Sequence, residues 1–317
     1  MKILVVGAGA VGQVYGYHLA RAGHAVSFFV KPAYAPAVRA GLTLHRLRAR
    51  RVEPCRLQPA SVLERVEDVA ATRWDQVWLA LPSDALRGDL ARQVLGAVGG
   101  ATVVCLQPGI HDGDLVRRLV PPAQVVQGLI PFISFQSPLP GCEGPEGIAY
   151  WLPPMPTLVG GDRARADAVI RALRAGGLGA RYARDFAQAT APGTALFQCL
   201  IATLEAGGWR LREIGDSPVL EPGMAAAREA LAIAARGAGG SGFQWPSLAL
   251  RPWLLRLAVP VLPRVFPFDI EVYLEYHFSK VGQQTRDMLD DYIRLGAAQG
   301  QPHAALRALR AALPALD

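Results

Sequence analysis

The stretch that most constrains this chain is its opening, Met1 to Gly16, which reads MKILVVGAGAVGQVYG. Ile3 to Val6 is an apolar run with no polar break, the pattern of a strand buried on both faces. Gly7, Gly9 and Gly12 follow at G-x-G-x-x-G spacing. In a dinucleotide fold the first glycine turns the chain out of the strand and the second lets backbone approach a pyrophosphate. The third lets the next helix lie close to the sheet. N–H groups at that helix's start, aided by its dipole, then hold the phosphates. An alanine-rich segment up to the Ala22-Gly23 stop and a second apolar run, Ala25 to Val30, complete the context. The pattern predicts a Rossmann unit, with Gly7, Ala8, Gly9, Ala10, Val11 and Gly12 as cofactor contacts.

The residue ending the second strand reads the ribose. An acidic side chain there binds a 2′-hydroxyl, whereas a basic one accommodates a 2′-phosphate. This chain has Lys31, and its first acidic residue is Glu53. NADP is therefore favoured over NAD, against the plain alternative of a solvated lysine. Arg39, Arg46 and Arg48 follow as further candidates near that phosphate.

The rest of the chain extends this pattern. Leu42 to Leu57 suits a hairpin or an irregular crossover. Gln76 to Leu81 and Ala101 to Leu106 read as buried strands, separated by an amphipathic helix over Asp84 to Leu95. The loops that follow these strands, with Leu81 and Pro82 in one and Gln107, Pro108 and His111 in the other, occupy the carboxyl-end positions that line the ligand crevice of an open parallel sheet. Val125 to Gly128, Thr157 to Gly160 and Ala180 to Ala183 read as further strands. Ser137 to Pro156 is a hairpin or a long loop, and Ala164 to Ala175 a helix. Beyond about Asp185 only helical patterns remain: Ala195 to Glu213, Gly223 to Ala235, Ile270 to Ala298 and His303 to Leu313. The expected architecture is an α/β, Rossmann-type parallel-sheet domain over 1–184, followed by an all-helical substrate or dimerisation domain over 185–317.

Composition narrows the function classes. With 51% hydrophobic and 19% charged residues, the chain of 317 builds a sizeable core. Its net charge of +7 is dispersed arginine without a concentrated block, which argues against a nucleic-acid partner. Cys55, Cys105, Cys142 and Cys199 show neither C-x-x-C spacing nor a Cys/His cluster, so no metal site and no disulfide scaffold is expected. No signal-peptide pattern precedes the glycine motif, and Pro260, Pro263 and Pro267 interrupt the apolar stretch Trp253 to Phe268 short of a membrane span. These features predict a cytoplasmic protein with no membrane partner. The same interrupted stretch, with the C-terminal helices, is a candidate homodimer surface.

At this point the chain resembles the ketopantoate reductase (2-dehydropantoate 2-reductase) family over nearly its full length. The carriers are GAGAVGQVYGYHLARAGHAVSFFVK, CLQPGI, LVGG with the helix after it, and KVGQQTRDMLDDYIRLGAAQGQP. The resemblance implies NADPH reduction of a 2-keto acid, in which a lysine ammonium on a helix polarises the ketone while asparagines and an acidic residue position the substrate. The departures fall in the substrate half. Pro82 or Ser83 stands where the family carries a lysine, and Pro108 replaces the asparagine of its glutamine-asparagine-glycine turn. Cys199 and Thr203, with Gln198 one residue earlier, take the positions of the catalytic lysine and asparagine. Thr285-Arg286 replaces threonine-glutamate. Proline cannot donate a hydrogen bond, so a substrate other than ketopantoate is expected.

Other residues supply candidate chemistry. Tyr273, His277, Lys280 and Gln284 fall at helical spacing and form one stripe on a continuous helix. Lys280 is positioned there to polarise a carbonyl, and His277 or Tyr273 to act as general acid. The competing reading is a solvated or interface stripe. Glu205, in an apolar helix, is a proton-transfer candidate or the partner of Arg210 or Arg212. Arg286 points to an anionic group on a small-molecule substrate, with Gln198, Cys199, Thr203, His111 and Gln284 as its other contacts. The overall expectation is an NADP-dependent reductase of a carbonyl or imine. The alternative is a non-redox cyclase, lyase or isomerase on the same scaffold.

Overall fold

The computed structural model describes residues 1–49, 51–237, 259–261 and 265–316. The chain separates into two compact units, Met1–Phe186 and Ala187–Asp317.

In the first unit, β1 (Lys2–Val6), β2 (Ala25–Phe29), β3 (Leu42–Arg48), β4 (Arg51–Leu57), β5 (Ser61–Leu63) and β6 (Gln76–Leu79) are followed by β7 (Thr102–Cys105), β8 (Val125–Gly128), β9 (Ile133–Ser137), β10 (Gly147–Trp151), β11 (Thr157–Gly161) and β12 (Ala180–Tyr182). Its helices are α1 (Ala10–Arg21), α2 (Ala35–Arg39), α3 (Val66–Ala70), α4 (Ser83–Leu86), α5 (Asp89–Ala97), α6 (Asp112–Leu119) and α7 (Arg163–Ala175). Eight strands form one sheet in the order β12-β11-β8-β7-β6-β1-β2-β5. β1 lies between β2 and β6, parallel to both. Direction reverses only where β11 meets β8. Four residues of β1 are buried, as an unbroken apolar strand requires when helices cover both faces.

A second sheet has the order β4-β3-β10-β9. The stretch 42–57 is thus a hairpin, β3 against β4. β9 and β10 form an antiparallel pair, and β10 runs parallel to β3. α1 packs against both sheets. Tyr15 on this helix stacks near Trp78 and Phe132, with ring centroids 5.0 and 4.9 Å away. His18, also on α1, is buried; its Nδ1–H donates to the Gly176 carbonyl at 2.7 Å, fixing the helix to the end of α7. The segment expected as one helix over 84–95 is two, because Gly88 is extended (φ −75°, ψ 162°) and restarts the chain as the N-cap of α5.

The second unit contains α8 (Phe186–Ala206, its first residue belonging to the first unit), α9 (Leu220–Gly237), α10 (Ile270–Ser279), α11 (Gly282–Gln299) and α12 (Ala304–Ala311). α8 begins before the expected Ala195 and tolerates Pro192 within it. It ends at Gly208 (φ 72°) and Trp209 (φ 62°), both left-handed, so the expected tail to Glu213 is instead a separate 3-10 segment, Leu211–Asp216. The single helix expected over 270–298 is also broken. Val281 leaves helical geometry (φ −115°, ψ 25°) before Gly282, where a side chain would crowd Leu316 at 2.8 Å. No helix among the described residues is long and apolar enough to cross a membrane. Most of the proline-interrupted stretch 253–268, on which the homodimer expectation rests together with the C-terminal helices, lies outside the described residues.

Candidate functional site

In the first unit the candidate site is the carboxyl end of the main sheet. β1 ends in Gly7, whose φ of +99° favours glycine and whose N–H donates to the Phe29 carbonyl at 3.0 Å. A Cβ at Gly7 would lie 2.7 Å from the Ala80 carbonyl oxygen, and one at Gly12 only 2.2 Å from that of Gly7. These two glycines hold the loop, β6 and α1 in contact. Gly9 is different: it is exposed, and a Cβ there would meet nothing within 4 Å. It presents bare backbone to open space.

α1 starts at Ala10 with no side-chain cap and no acidic residue in its first turn. Its first intrahelical bond runs from the Gln13 N–H to the Gly9 carbonyl, at 2.9 Å, so the N–H groups of Ala10, Val11 and Gly12 precede the hydrogen-bonded ladder. The Gln13 side chain braces the loop by donating to the Ala8 carbonyl at 2.8 Å. An uncapped helix start behind an unobstructed glycine is the donor set that fits a dinucleotide pyrophosphate. Lys31 sits exposed at the end of β2.

The neighbouring strand ends are stitched together by Gln107. Its amide donates to the Leu79 and Leu81 carbonyls at 2.9 and 2.8 Å, while its Oε1 accepts from the Leu106 N–H at 3.2 Å and the Cys105 thiol at 3.1 Å. Gln107 therefore shapes the loops carrying Leu81, Pro82 and Pro108, and both its amide protons are already bonded. Pro82 and Pro108 are exposed. His111 is exposed as well, at the N-cap of α6.

Beside these loops lies a group that the sequence did not reveal. Asp112 is fully buried. Its Oδ2 accepts from the Ser83 hydroxyl at 2.6 Å and the Gly109 N–H at 3.0 Å, and Arg87 reaches its Oδ1 at 3.1 Å. Arg87 also donates to the Ser83 carbonyl at 2.6 Å. One carboxylate thus locks the β6 loop to the β7 loop. Its only sequence signal is an acidic residue three positions after a proline-glycine turn, which is too common to notice.

The second unit treats its flagged residues differently. Glu205 and Arg286 form an ion pair at 2.8 Å with both side chains 5% exposed. Arg286 further donates to the Gly282 and Pro314 carbonyls at 2.8 and 2.6 Å. Glu205 is paired neither with Arg210 nor with Arg212; Arg210 faces Glu213 and Arg212 faces Asp269. The two residues expected as a proton-transfer group and an anion contact neutralise each other.

Cys199 and Thr203 are buried, the Thr203 hydroxyl donating to the Cys199 carbonyl at 2.6 Å. A Cβ at Gly223 of α9 would fall 2.0 Å from that hydroxyl oxygen, so this face of α8 is packed against α9. Burial pushes the Cys199 thiol up to about 12. Neither side chain reaches the surface of the unit. Gln198, also buried, donates to the Thr285 carbonyl at 3.3 Å and ties α8 to α11.

The expected stripe is divided by the break at Val281. Tyr273 and His277 stack on α10 with centroids 5.3 Å apart. Burial, with a smaller contribution from the Lys280 charge, lowers the His277 pKa to about 4, so its ring is neutral near pH 7. Lys280 caps α10, exposed, with its ammonium 3.5 Å from the Tyr276 ring centroid. Gln284, half-buried, lies on the next helix. Tyr273 and His277 share α10 and Lys280 caps it, but Gln284 is cut off from them by the break, so the single stripe expected over the four does not form.

Comparison with known proteins follows this division. Residues 3–141, all in the first unit, match the family described as ketopantoate reductase PanE/ApbA. Among curated proteins none matches the chain. Similar solved structures include a PanE/ApbA family ketopantoate reductase from Ralstonia eutropha JMP134, at 21% identity and TM-score 0.72, covering 98% of this chain and 96% of that one. A 2-dehydropantoate 2-reductase from Geobacter metallireducens GS-15 is 17% identical, with TM-score 0.74 over 99% of each chain. D-mandelate dehydrogenase, solved with NADH and anilino(oxo)acetate, is 16% identical, with TM-score 0.72 over 98% and 96% of the two chains. At these identities the likeness is one of fold.

Proposed function

We propose that this chain, whose residues 3–141 form a ketopantoate reductase PanE/ApbA family domain, is an NADP-dependent oxidoreductase that reduces a carbonyl or imine of a small substrate other than ketopantoate. The observation that carries this reading is the glycine loop. Gly9 is unobstructed, and the start of α1 behind it is uncapped and free of acidic residues. Bound there, the nicotinamide nucleotide would supply the hydride. Ala10, Val11 and Gly12 would hold its pyrophosphate through backbone N–H groups, and Lys31 would take the 2′-phosphate. Gln107 and Asp112 act as positioning residues, because they fix the two loops beside the glycine turn.

The expectation of an anionic substrate group rested on Arg286, whose charge Glu205 balances, so the anionic requirement is not carried forward. The departure from ketopantoate is supported by Pro82 and Pro108 at the strand ends and by the burial of Cys199 and Thr203. That same burial favours one second reading, a non-redox enzyme that keeps the nucleotide as scaffold.

Titration of NADPH, and separately NADH, into the protein by fluorescence or calorimetry tests the proposal. NADPH should bind, and Lys31→Ala should weaken it about tenfold, the loss of one charge-assisted phosphate contact. Binding of neither nucleotide overturns it. Binding without oxidation of NADPH by any member of a panel of 2-keto acids, ketones and imines moves the case to the non-redox reading.

A further inference from the structure

The strand that borders β2 in the main sheet is β5, with Phe29 opposite Leu63. The Val30 N–H donates to the Leu63 carbonyl at 3.0 Å, so the parallel register sets Glu64 beside Val30, one residue before Lys31. β2 lacks the carboxylate that reads a ribose 2′-hydroxyl, and its neighbour supplies one. Glu64 is not left free there. Arg39, the last residue of α2, forms an ion pair with it and reaches the Val62 carbonyl at 3.5 Å. The Arg39 backbone is held in turn by Gln58, whose amide donates to its carbonyl at 3.1 Å. The two side chains are 53% and 25% exposed, so a ligand can reach both. Lys31 carries no carboxylate partner among the described residues.

The electrostatics of this corner depend on Arg39. With it, and with Arg65 matched by Glu67 at 3.2 Å, Lys31 and Arg39 outweigh Glu64 and the corner attracts a phosphate monoester of nearly two negative charges. Without it, a bare carboxylate stands beside the place of the 2′-phosphate. The same carboxylate is a good acceptor for a 2′-hydroxyl. We propose that Arg39 sets the choice between NADPH and NADH by neutralising Glu64, so that the 2′ position is read by two strand ends and not by Lys31 alone. This rests on the nicotinamide nucleotide proposed for the glycine loop.

The test is the ratio of NADPH to NADH dissociation constants, measured by fluorescence titration at low ionic strength. Arg39→Ala should raise the NADPH constant at least tenfold and leave that of NADH unchanged or lower, because the freed carboxylate accepts from the 2′-hydroxyl. Glu64→Gln alone should keep NADPH within threefold of wild type. The double variant should return NADPH to within threefold as well, because Arg39 acts through Glu64. Equal weakening of both nucleotides by Arg39→Ala, or a double variant as weak as Arg39→Ala, overturns the inference. If Arg39→Ala does not fold, Glu64→Lys carries the test: preference for NADPH should rise at least threefold, and an unchanged ratio overturns the inference. Wild-type protein that binds neither nucleotide overturns the functional reading itself, whereas wild type that binds NADPH with unaltered ratios in the variants overturns this inference alone.

Discussion

The glycine loop of the first unit and the buried helix faces of the second handle polar groups in opposite ways. In the first, the glycine loop leaves backbone donors at an uncapped helix start, faces open space at Gly9 and keeps a cation exposed at Lys31. In the second, the polar residues that looked chemically active satisfy one another: Glu205 pairs with Arg286, Thr203 bonds back to its own helix, and Gln198 bridges to α11. A group that waits for a ligand stays exposed or unmatched, whereas one that holds a fold together is buried and matched. A charged residue in an apolar helix therefore signals a partner more often than a substrate, and the partner is found only in three dimensions.

The largest effect should come from breaking the matched pair. Glu205→Ala leaves a buried guanidinium without its counter-ion and should cost about 3–5 kcal/mol in urea unfolding, while Glu205→Leu with Arg286→Met should cost much less. If Glu205→Gln instead abolished turnover with stability unchanged, the contrast between the units would fail. Next comes Gly12→Ala. Its methyl group would sit 2.2 Å from the Gly7 carbonyl oxygen, forcing loop and helix apart, with a loss of about 2–3 kcal/mol and of most NADPH affinity by calorimetry.

A pH effect should follow from His18. Burial lowers its pKa to about 4 from 6.5, with the charges of Arg21 and Arg46 adding to the shift. The unfolded chain therefore binds a proton that the folded one refuses between those values. Stability is complete above pH 6.5 and falls as pH drops towards 4, by roughly 2 kcal/mol between pH 7 and 5. His18→Phe should flatten that dependence in denaturant midpoints. Smallest is Lys280→Ala: the ammonium is exposed over Tyr276, so stability should shift by about 0.5 kcal/mol or less and turnover should stay within twofold. A tenfold drop in turnover would restore the catalytic stripe.

Much of the first unit was legible in the sequence. β1, its glycine turn and α1 follow from sixteen consecutive residues, and the buried strands at 76–79, 102–105 and 125–128 announce themselves as short apolar runs. The β3–β4 hairpin was legible as one of two options. Its pairing with β10 was not, because Leu44 meets Ile148 from far along the chain, and no local period records such a contact. The helix breaks at Gly88 and Val281 escaped because each interrupts an otherwise continuous amphipathic pattern by a few backbone angles.

By itself the sequence determined the elements whose physics is local: a strand too apolar to face water, glycines where Cβ atoms would collide or obstruct, and a lysine where a second strand stops. Only the tertiary structure decided which charged and polar side chains are available. Glu205 and Arg286 are 81 residues apart, and burial removes the water that would otherwise solvate each separately. Once desolvated, two opposite charges are stable only together, and that requirement, invisible in either segment alone, separates the residues that hold the fold from those left to meet a ligand.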